Sequence, residues 1–286
     1  MNNDSIQFAG RTHPGHKRSH NEDCFEADAA LGLFLVADGV GGHSCGEIAS
    51  DIVRQTIKQE VVAGSNLHAA VQASHRAVLA RIAEDESTQG MGSTAVVLQL
   101  VGTHYNICWV GDSRAYQWDQ QLKQLTADHN RASELLANNL ITPAQAAVHP
   151  ERHVLTQSLG VSESIVTNPG EVQGELASGQ SILLCSDGLT DDVDEIIIAR
   201  IMGGSSSPEE KAEALLKAAL DAGGSDNITA LVVGMPADPS EQAGDLDTTR
   251  DTGHAAENGA PSTAKFPVRA LIAVSIVTAI ALWLLL

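Results

Sequence analysis

The stretch LFLVADGVGGHSCGEIAS, from Leu33 to Ser50, decides the fold. Its first residues form an apolar run that predicts a buried strand, and this run leads directly into Asp38 and a series of small residues. A carboxylate at the end of a buried strand is unfavourable unless some other group stabilises it. The stretch therefore predicts either an ordinary Asp-Gly turn or a site that uses the carboxylate.

The same construction recurs at three other places in the chain. SILLCSDGLTDD contains Asp187 after an apolar run, HYNICWVGDSRAY contains Asp112 after another, and GGSDNITALVV places Asp226 before a third. Antiparallel pairing of these strands would bring all four carboxylates to one edge of the structure. Carboxylates so close together repel one another unless a cation lies among them. For any single one of them, a turn remains the alternative.

Length and composition limit the class of protein. The 286 residues allow one large domain or two small ones, and 43% hydrophobic residues with only 3% aromatics predict an aliphatic core. A net charge of -19 argues against nucleic acid and anionic lipid as main partners and suits a protein that gathers divalent cations. The four cysteines form no CxxC pair and predict reduced thiols in a reducing compartment. The first residues have no apolar region typical of a secretory signal peptide.

The C-terminal end predicts a membrane anchor. Residues 270–286 contain no charge, and at about 1.5 Å per residue they would span roughly 26 Å as a helix. Residues just before them can extend the span if Arg269 reaches towards the headgroups. The preceding acidic stretch, rich in Pro, Gly, Ala, Asp and Thr, predicts a disordered linker. The expected organisation is a folded domain at 4–235, the linker at 236–265 and a transmembrane anchor at 266–286.

Helical patterns lie outside the predicted strands. Residues 46–62 and 67–84 each carry apolar side chains along one face, and Ser207 starts a capping box with Pro208 in the first turn. Thr142 opens a shorter helix. Two helices thus follow the first strands and one precedes the last. We therefore expect an α+β fold, an antiparallel β-sandwich flanked by helices on both sides, with a C-terminal transmembrane helix added.

The segment HKRSHNEDCF supplies a cation and two more acids near the N-terminus. Arg18 precedes Glu22 and Asp23 here. Ligand sets made only of oxygen favour Mg²⁺ or Mn²⁺ over zinc. Two such ions about 3.5–4 Å apart can activate a bridging water and hold a phosphoryl group for in-line attack. An arginine at the same edge can bind the phosphate oxygens. These residues predict hydrolysis of a phosphate ester without a covalent enzyme intermediate.

Seven motifs in order carry a family resemblance. They are RSHNED, VADGVGGHSCGEIAS, MGSTAVV, VGDSRAY, LTADHN, LLCSDGLTD and GGSDNIT, and they cover about residues 8–233. The series resembles that of the metal-dependent serine/threonine protein phosphatases of type 2C, above all the compact bacterial members. The resemblance implies dephosphorylation of phosphoserine and phosphothreonine in proteins. It also implies two ions of Mn²⁺ or Mg²⁺ and a weaker third.

The resemblance implies metal ligands position by position. Asp38 corresponds to the carboxylate that bridges both metals. The Gly39 carbonyl and Glu22 correspond to ligands of the second metal, and Asp187 and Asp226 to ligands of the first. This complete set argues against one alternative, a phosphatase-like binding module that has lost catalysis. A dinuclear-metal hydrolase of a small phosphate ester remains the other alternative.

The remaining roles that the resemblance implies concern phosphate, water and a third metal. Arg18 matches the phosphate-binding arginine, and Asp23 matches a carboxylate that holds metal-bound water. Asp112 stands where bacterial members bind a weaker third metal, shared with Asp187. Residues 129–160 correspond to the flap beside the active site. The candidate catalytic residues are Arg18, Asp38 and Asp112.

The chain departs from the animal members at one position. They place a histidine, a proposed general acid, directly after the Asp-Gly, and Val40 stands there in this chain. Bacterial relatives also lack this histidine, so the departure leaves open only the proton donor to the leaving group. His43 and His153 are weak candidates for that role.

The resemblance and the C-terminal tail together predict partners and location. We expect phosphoserine and phosphothreonine proteins as substrates and a serine/threonine kinase as the opposing enzyme. Lys265 and Arg269 precede the apolar tail, so the tail should anchor the chain in the inner membrane with the catalytic domain in the cytoplasm.

Overall fold

The computed structural model describes residues 6–41, 45–161 and 167–236. Within them the strands are β1 (Gln7–His13), β2 (Asp23–Asp28), β3 (Leu33–Val40), β4 (Gly92–Ser93), β5 (Ala95–Val101), β6 (His104–Val110), β7 (Arg114–Asp119), β8 (Gln121–Gln124), β9 (Gly170–Glu175), β10 (Ser181–Cys185) and β11 (Ile228–Gly234). The helices are α1 (Cys45–Val62), α2 (Leu67–Glu84), α3 (Arg131–Ala137), α4 (Pro143–Ala147), α5 (Asp187–Thr190), α6 (Glu195–Met202) and α7 (Pro208–Ala222), with a 3₁₀ turn at Glu86–Thr88.

The strands form two antiparallel sheets. The first sheet has the order β1-β11-β10-β7-β8, and the second has the order β2-β3-β5-β6-β9, with the short β4 paired to β3. Some strands that are hydrogen-bonded neighbours in a sheet are far apart in sequence, as β1 and β11 are. The architecture therefore depends on pairings between distant segments.

Alternation along the strands separates the core into layers. In β3, Leu33 and Leu35 pack with the apolar faces of α1 and α2, whereas Phe34 and Val36 pack with residues of the first sheet. Successive side chains of a strand point to opposite faces, so one strand serves two cores. On β10, Leu183 likewise packs with α6 and α7 on the outer side. The result is the predicted order of layers: helices, sheet, sheet, helices.

The predicted helices occur, with bounds close to those expected. α2 has the predicted bounds and is capped by Asn66, whose side chain accepts from the Ala69 nitrogen at 2.9 Å. Capping boxes start α4 at Thr142 and α7 at Ser207. The pattern did not predict α3, α5 or α6. All are short, and in α6 Ile196 is 75% exposed, so its apolar residues do not follow one buried face.

The sequence prediction of a membrane anchor concerns residues outside the described ranges. In the part of the chain that the structure describes, no helix is long and apolar enough to cross a bilayer. The anchor at 266–286 and almost all of the linker at 236–265 lie beyond residue 236. Both stay predictions.

Three of the cysteines have thiols that burial makes unreactive. Burial raises the pKa of Cys24, Cys108 and Cys185 to about 12 in each case. A thiol with such a pKa is protonated at neutral pH and is a poor nucleophile or metal ligand. The cation site predicted from carboxylates therefore has no thiol contribution from these three residues.

Candidate metal centre

The predicted site residues line one cavity at the edge of the sandwich. The cavity has a volume of about 440 Å³. Its walls include Arg18, Glu22, Asp38, Gly39, Asp112, Asp187 and Asp226. Asp187 and Asp226 flank neighbouring strands of the first sheet, Asp38 belongs to β3 of the second, and Asp112 lies in the bend that joins β6 of the second sheet to β7 of the first. The carboxylates thus meet where the edges of two sheets face each other, and not along one sheet.

The backbone of Asp38 is fixed by the motif that contains Ser93 and Thr94. The Asp38 nitrogen donates to Thr94 Oγ1 at 3.0 Å, and its carbonyl accepts from the Thr94 nitrogen at 2.8 Å and from Ser93 Oγ at 3.0 Å. Thr94 Oγ1 also shares a hydrogen bond of 2.7 Å with Ser113 Oγ, next to Asp112. Sequence analysis gave Thr94 no role. It links the segments that carry two of the cavity's carboxylates.

Glu22 is held by a residue that sequence analysis also missed. The Glu22 nitrogen donates to Asn227 Oδ1 at 2.7 Å, and Asn227 Nδ2 donates to the carbonyls of Pro14 at 3.0 Å and His20 at 2.9 Å. Asn227 is only 5% exposed. It thereby ties the loop that carries Arg18 and Glu22 to the start of β11. The signal available in the sequence was an Asn directly after the predicted ligand Asp226.

The start of α1 approaches Gly39 and Glu22 very closely. Glu22 Oε1 accepts from the Gly46 nitrogen at 3.2 Å, and the Gly39 nitrogen donates to the Glu22 carbonyl at 3.1 Å. A Cβ on Gly39 would come within 2.0 Å of the Gly46 carbonyl oxygen, so only glycine fits there. The helix N-terminus and the glycine pair therefore keep the Glu22 carboxylate next to the backbone of Gly39.

Asp23 connects the two sheets beside the cavity. Its Cα pairs with that of Asp38, and its Oδ2 accepts from Ser186 Oγ and Thr229 Oγ1 of the first sheet, each at 2.7 Å. Its other oxygen, Oδ1, is buried and has no hydrogen-bond partner among the described residues. Burial raises the pKa of Asp23 to about 7, although the bonds from Thr229 and Ser186 act in the opposite direction.

Burial and mutual repulsion disfavour the charged forms of Asp38, Asp112 and Asp187 in the cavity. Burial, followed by the charges of Asp23 and Asp187, raises the pKa of Asp38 well above its usual value. Burial and then Asp187 raise the pKa of Asp112. Burial, Asp191 and then Asp226 raise the pKa of Asp187 to about 6. A divalent cation among these oxygens would reverse this effect, because an opposite charge within a few ångströms favours the ionised form.

The donor set fits Mg²⁺ or Mn²⁺. The predicted ligands that line the cavity offer carboxylate oxygens and, at Gly39, a backbone carbonyl oxygen, which are the ligands that hard cations prefer. The repulsion between the acids and the unsatisfied Oδ1 of Asp23 are further signs that these residues accommodate a cation and its water. Glu22, Asp38, Gly39, Asp187 and Asp226 are the residues that would hold the ions.

Arg18 lies at the rim of the cavity. Its Nη2 donates to Asp226 Oδ2 at 2.7 Å, and its side chain is 54% exposed. The hydrogen bond and the charge of Asp226 raise the pKa of Arg18 further, so the guanidinium stays charged. Within the described ranges Nη2 is its hydrogen-bonded nitrogen, which leaves other N–H groups for an anion in the cavity.

His153 is a histidine that the structure brings to the cavity. Its Nδ1 lies 3.3 Å from Asp191 Oδ2, and ligand atoms of His153, Asp187 and Asp191 all lie within 4.8 Å of one another. Val40 lines the same cavity, while His43 lies outside the described residues. Sequence analysis ranked His153 as a weak candidate for proton transfer, and its position in the cavity keeps it available for contact with a substrate.

A buried ion pair connects two of the other motifs, VGDSRAY and LTADHN. Arg114 of VGDSRAY donates from Nε and Nη2 to the carboxylate of Asp128 in LTADHN, the shortest distance being 2.7 Å, and from Nη1 to Tyr116 Oη at 3.1 Å. The Asp128 side chain is only 6% exposed. This bidentate pair fixes the start of the flap against β7.

Comparison with known proteins agrees with this geometry. The sequence model described as protein phosphatase 2C matches residues 9–222. The chain is 35% identical over 237 residues to the serine/threonine protein phosphatase PstP of Mycobacterium tuberculosis, covering 79% of this chain and 44% of that protein. It is 32% identical over 242 residues to the protein phosphatase PhpP of Streptococcus pneumoniae, covering 80% of this chain and 98% of that protein. The chain thus spans less than half of the length of PstP and nearly all of PhpP.

A solved structure is similar over the same region. The crystal structure of the catalytic domain of PstP, in complex with two manganese ions, has a TM-score of 0.72 and 31% sequence identity, and covers 81% of this chain and 98% of that one. The likeness therefore extends over most of this chain and nearly all of that catalytic domain.

Proposed function

The chain belongs to the protein phosphatase 2C family, and we propose that it hydrolyses phosphoserine and phosphothreonine in proteins. The observation that carries this proposal is the convergence of Glu22, Asp38, Asp187 and Asp226 on one cavity with Arg18 at its rim. Partly buried carboxylates that repel one another are unfavourable for stability, and a cation site is a physical reason to keep them.

The proposed cofactors are two ions of Mn²⁺ or Mg²⁺. The PstP structure with two manganese ions and the oxygen-only donor set of this chain support the proposal. When bound, such an ion pair supplies an activated water for direct attack on phosphorus and stabilises the negative charge that develops. Asp38 would be shared between the ions, and Asp112 with Asp187 would hold a weaker third.

The chain's own groups have separate tasks in this reaction. Arg18 binds non-bridging phosphate oxygens through its free N–H groups and orients the phosphoryl group. Asp23 presents an unpaired carboxylate oxygen that accepts a hydrogen bond from water in the site. Thr94 and Asn227 hold the backbones of Asp38 and Glu22, so the carboxylates stay in place without substrate.

A comparison of substrates tests this function. The full chain with Mn²⁺ should release phosphate from phosphothreonine peptides faster than from nucleotides of equal concentration. Faster hydrolysis of nucleotides would favour the small-ester alternative. No release from either substrate would favour the inactive binding module.

We also propose that the enzyme is anchored in the inner membrane and opposes a serine/threonine kinase there. The charge-free run at 270–286 and the preceding Lys265 and Arg269 support this location. A chain that ends at Ala264 should then be soluble without detergent, whereas the full chain should sediment with membranes. A full-length protein that stays soluble, or is digested by protease from the periplasmic side, would contradict the proposal.

A further inference from the structure

The metal cavity adjoins a second, larger cavity. The second cavity has a volume of about 850 Å³, against about 440 Å³ for the metal cavity. Asp112, His153, Asp187 and Asp191 line both, so the two meet at these residues. Arg18 lines only the metal cavity. A chain attached to a phosphoryl group at Arg18 can therefore continue past His153 into the second cavity, which we call the flap groove.

The two sides of the flap groove differ in chemistry. One side is built by the flap helices α3 and α4 and is lined by small or apolar residues such as Leu136, Pro143 and Ala146. The other side is the segment that joins α5 to α6, where Asp191, Asp194 and Glu195 follow one another closely. An aliphatic wall opposite an acidic rim matches a side chain with an apolar stem and a positive end.

Two of the three acids of the rim, Asp194 and Glu195, have no ion pair among the described residues, whereas Asp191 lies 3.3 Å from His153. Arg114 also lines the groove but is committed to Asp128 through its bidentate pair. Asp194 starts α6 without a side-chain capping bond; its backbone carbonyl accepts from the nitrogens of Ile197 and Ile198, while its carboxylate has no hydrogen bond among the described residues. Glu195 Oε1 accepts only a bond of 3.2 Å from Tyr116.

Beyond the metal-binding residues, the remaining charges of the groove are unequal. They are Asp191, Asp194 and Glu195 against Arg152, with His153 beside Asp191. The metal cavity, in contrast, has the positively charged Arg18 in its lining. The site therefore has a negative side in the flap groove and a positive side at Arg18. Different parts of a bound polypeptide would lie next to these two sides.

We propose that the flap groove binds the polypeptide on one side of the phosphorylated residue and prefers lysine or arginine there. The inference rests on the proposed phosphatase function, since it concerns the substrate of the same site. In an extended chain successive residues advance by about 3.3 Å, so residues within a few positions of the phosphoresidue would lie in the groove that Asp194 and Glu195 line. An acidic rim favours binding of a peptide with a positive side chain at that position and disfavours a peptide with a negative one.

Matched phosphopeptides test the proposal. Pairs of phosphothreonine peptides would differ only in carrying lysine or glutamate at one position, up to about four residues on either side of the phosphothreonine. With the full chain, lysine should raise kcat/KM over glutamate by about threefold to tenfold on one side only, as expected for one or two exposed ion pairs. The ratio should fall as salt is added, because exposed charges are screened.

A variant of the flap groove tests whether its acidic residues cause the preference for lysine. The double change Asp194→Asn and Glu195→Gln should bring the lysine-to-glutamate ratio close to one. The control is the double change Glu84→Gln and Glu209→Gln, which removes the same charge from exposed helix positions that line neither cavity. It should keep the ratio of the unchanged protein.

The outcomes separate this inference from the function on which it rests. Equal hydrolysis of the lysine and glutamate peptides, or a lysine preference that survives the groove variant, would overturn the inference and leave the phosphatase function intact. Failure to hydrolyse any phosphopeptide would contradict both.

Discussion

Asn227 Oδ1 lies 2.7 Å from the backbone nitrogen of Glu22, although 205 positions separate the two residues. The same side chain also satisfies the carbonyls of Pro14 and His20. One buried amide thus holds the loop that carries a predicted phosphate ligand and a predicted metal ligand.

Replacement of Asn227 should therefore affect both stability and the site. Asn227→Ala leaves buried backbone groups without partners, and each such group costs about 1–3 kcal/mol, so we expect a loss of about 2–4 kcal/mol in the free energy of unfolding. Urea unfolding measures it, with Asn138→Ala as a control that removes an exposed bond in the flap. A loss no larger than that of the control would mean that Asn227 does not hold the loop.

Arg18 should contribute to substrate binding and not to metal binding. Arg18→Ala removes charge-assisted hydrogen bonds to phosphate, so KM for a phosphothreonine peptide should rise, and kcat should fall if the contact tightens in the transition state. Arg18→Lys keeps the charge without the paired donors and should be intermediate. Calorimetry with Mn²⁺ is the check, and a large loss of Mn²⁺ affinity would show that Arg18 organises the metal centre through Asp226 instead.

Asp112 should matter for turnover more than for the tightly bound ions. It lies in the bend between β6 and β7 and lines the cavity, but the other carboxylates suffice for a pair of ions. Asp112→Ala is expected to bind two Mn²⁺ ions per chain and to hydrolyse phosphopeptides slowly. Metal counting and a steady-state assay measure this, and unchanged rates at saturating Mn²⁺ would refute a catalytic role for the third ion.

His75 should make the stability of the flap's end depend on pH. Its Nδ1 accepts from the Gly160 nitrogen at 3.0 Å, and burial, then the charge of Arg76, lowers its pKa from the ordinary 6.5. The contribution of His75 to the free energy of unfolding is complete above pH 6.5 and decreases as the pH falls below that value. It reaches its minimum once the pH is below the pKa of His75 in the folded protein. The loss arises because His75 binds a proton more readily in the unfolded chain than in the folded protein, where its pKa is lower.

Comparison with a variant isolates the histidine from the carboxylates. Between about pH 7.5 and about pH 5.5, His75→Gln should lose less unfolding free energy than the unchanged protein, because glutamine does not titrate. Raised carboxylate pKa values affect both proteins alike and cancel in the difference. An equal loss in the two proteins would show that His75 does not contribute.

The sequence was informative where local pattern and chemistry coincide. Asp38, Asp112, Asp187 and Asp226 stand next to apolar runs, so both the strands and their carboxylates could be recognised together. The alternation in β3 and β10 and the capping boxes predicted the layers and the longer helices. The four carboxylates line one cavity, as expected for one edge of the structure, but the pattern did not show that both sheets contribute to it.

Residues whose role depends on distant partners could not be found in this way. Thr94 and Asn227 form ordinary parts of a strand entry and a turn in the sequence, and only the pairing of β3 and β11 with other segments shows what they hold. The acidic rim of the flap groove was likewise hidden, because it becomes a surface only when the short helices α3 and α4 lie opposite the start of α6.

The measurement that tests the central claim most directly is Mn²⁺-dependent phosphate release by Asp38→Asn, made with metal counting and circular dichroism on the same sample. The change keeps the size of the side chain and removes the charge that two ions would share. The account predicts a folded protein with weakened Mn²⁺ binding and almost no hydrolysis of a phosphothreonine peptide. A folded Asp38→Asn protein that keeps more than a few per cent of the activity would contradict the dinuclear metal centre.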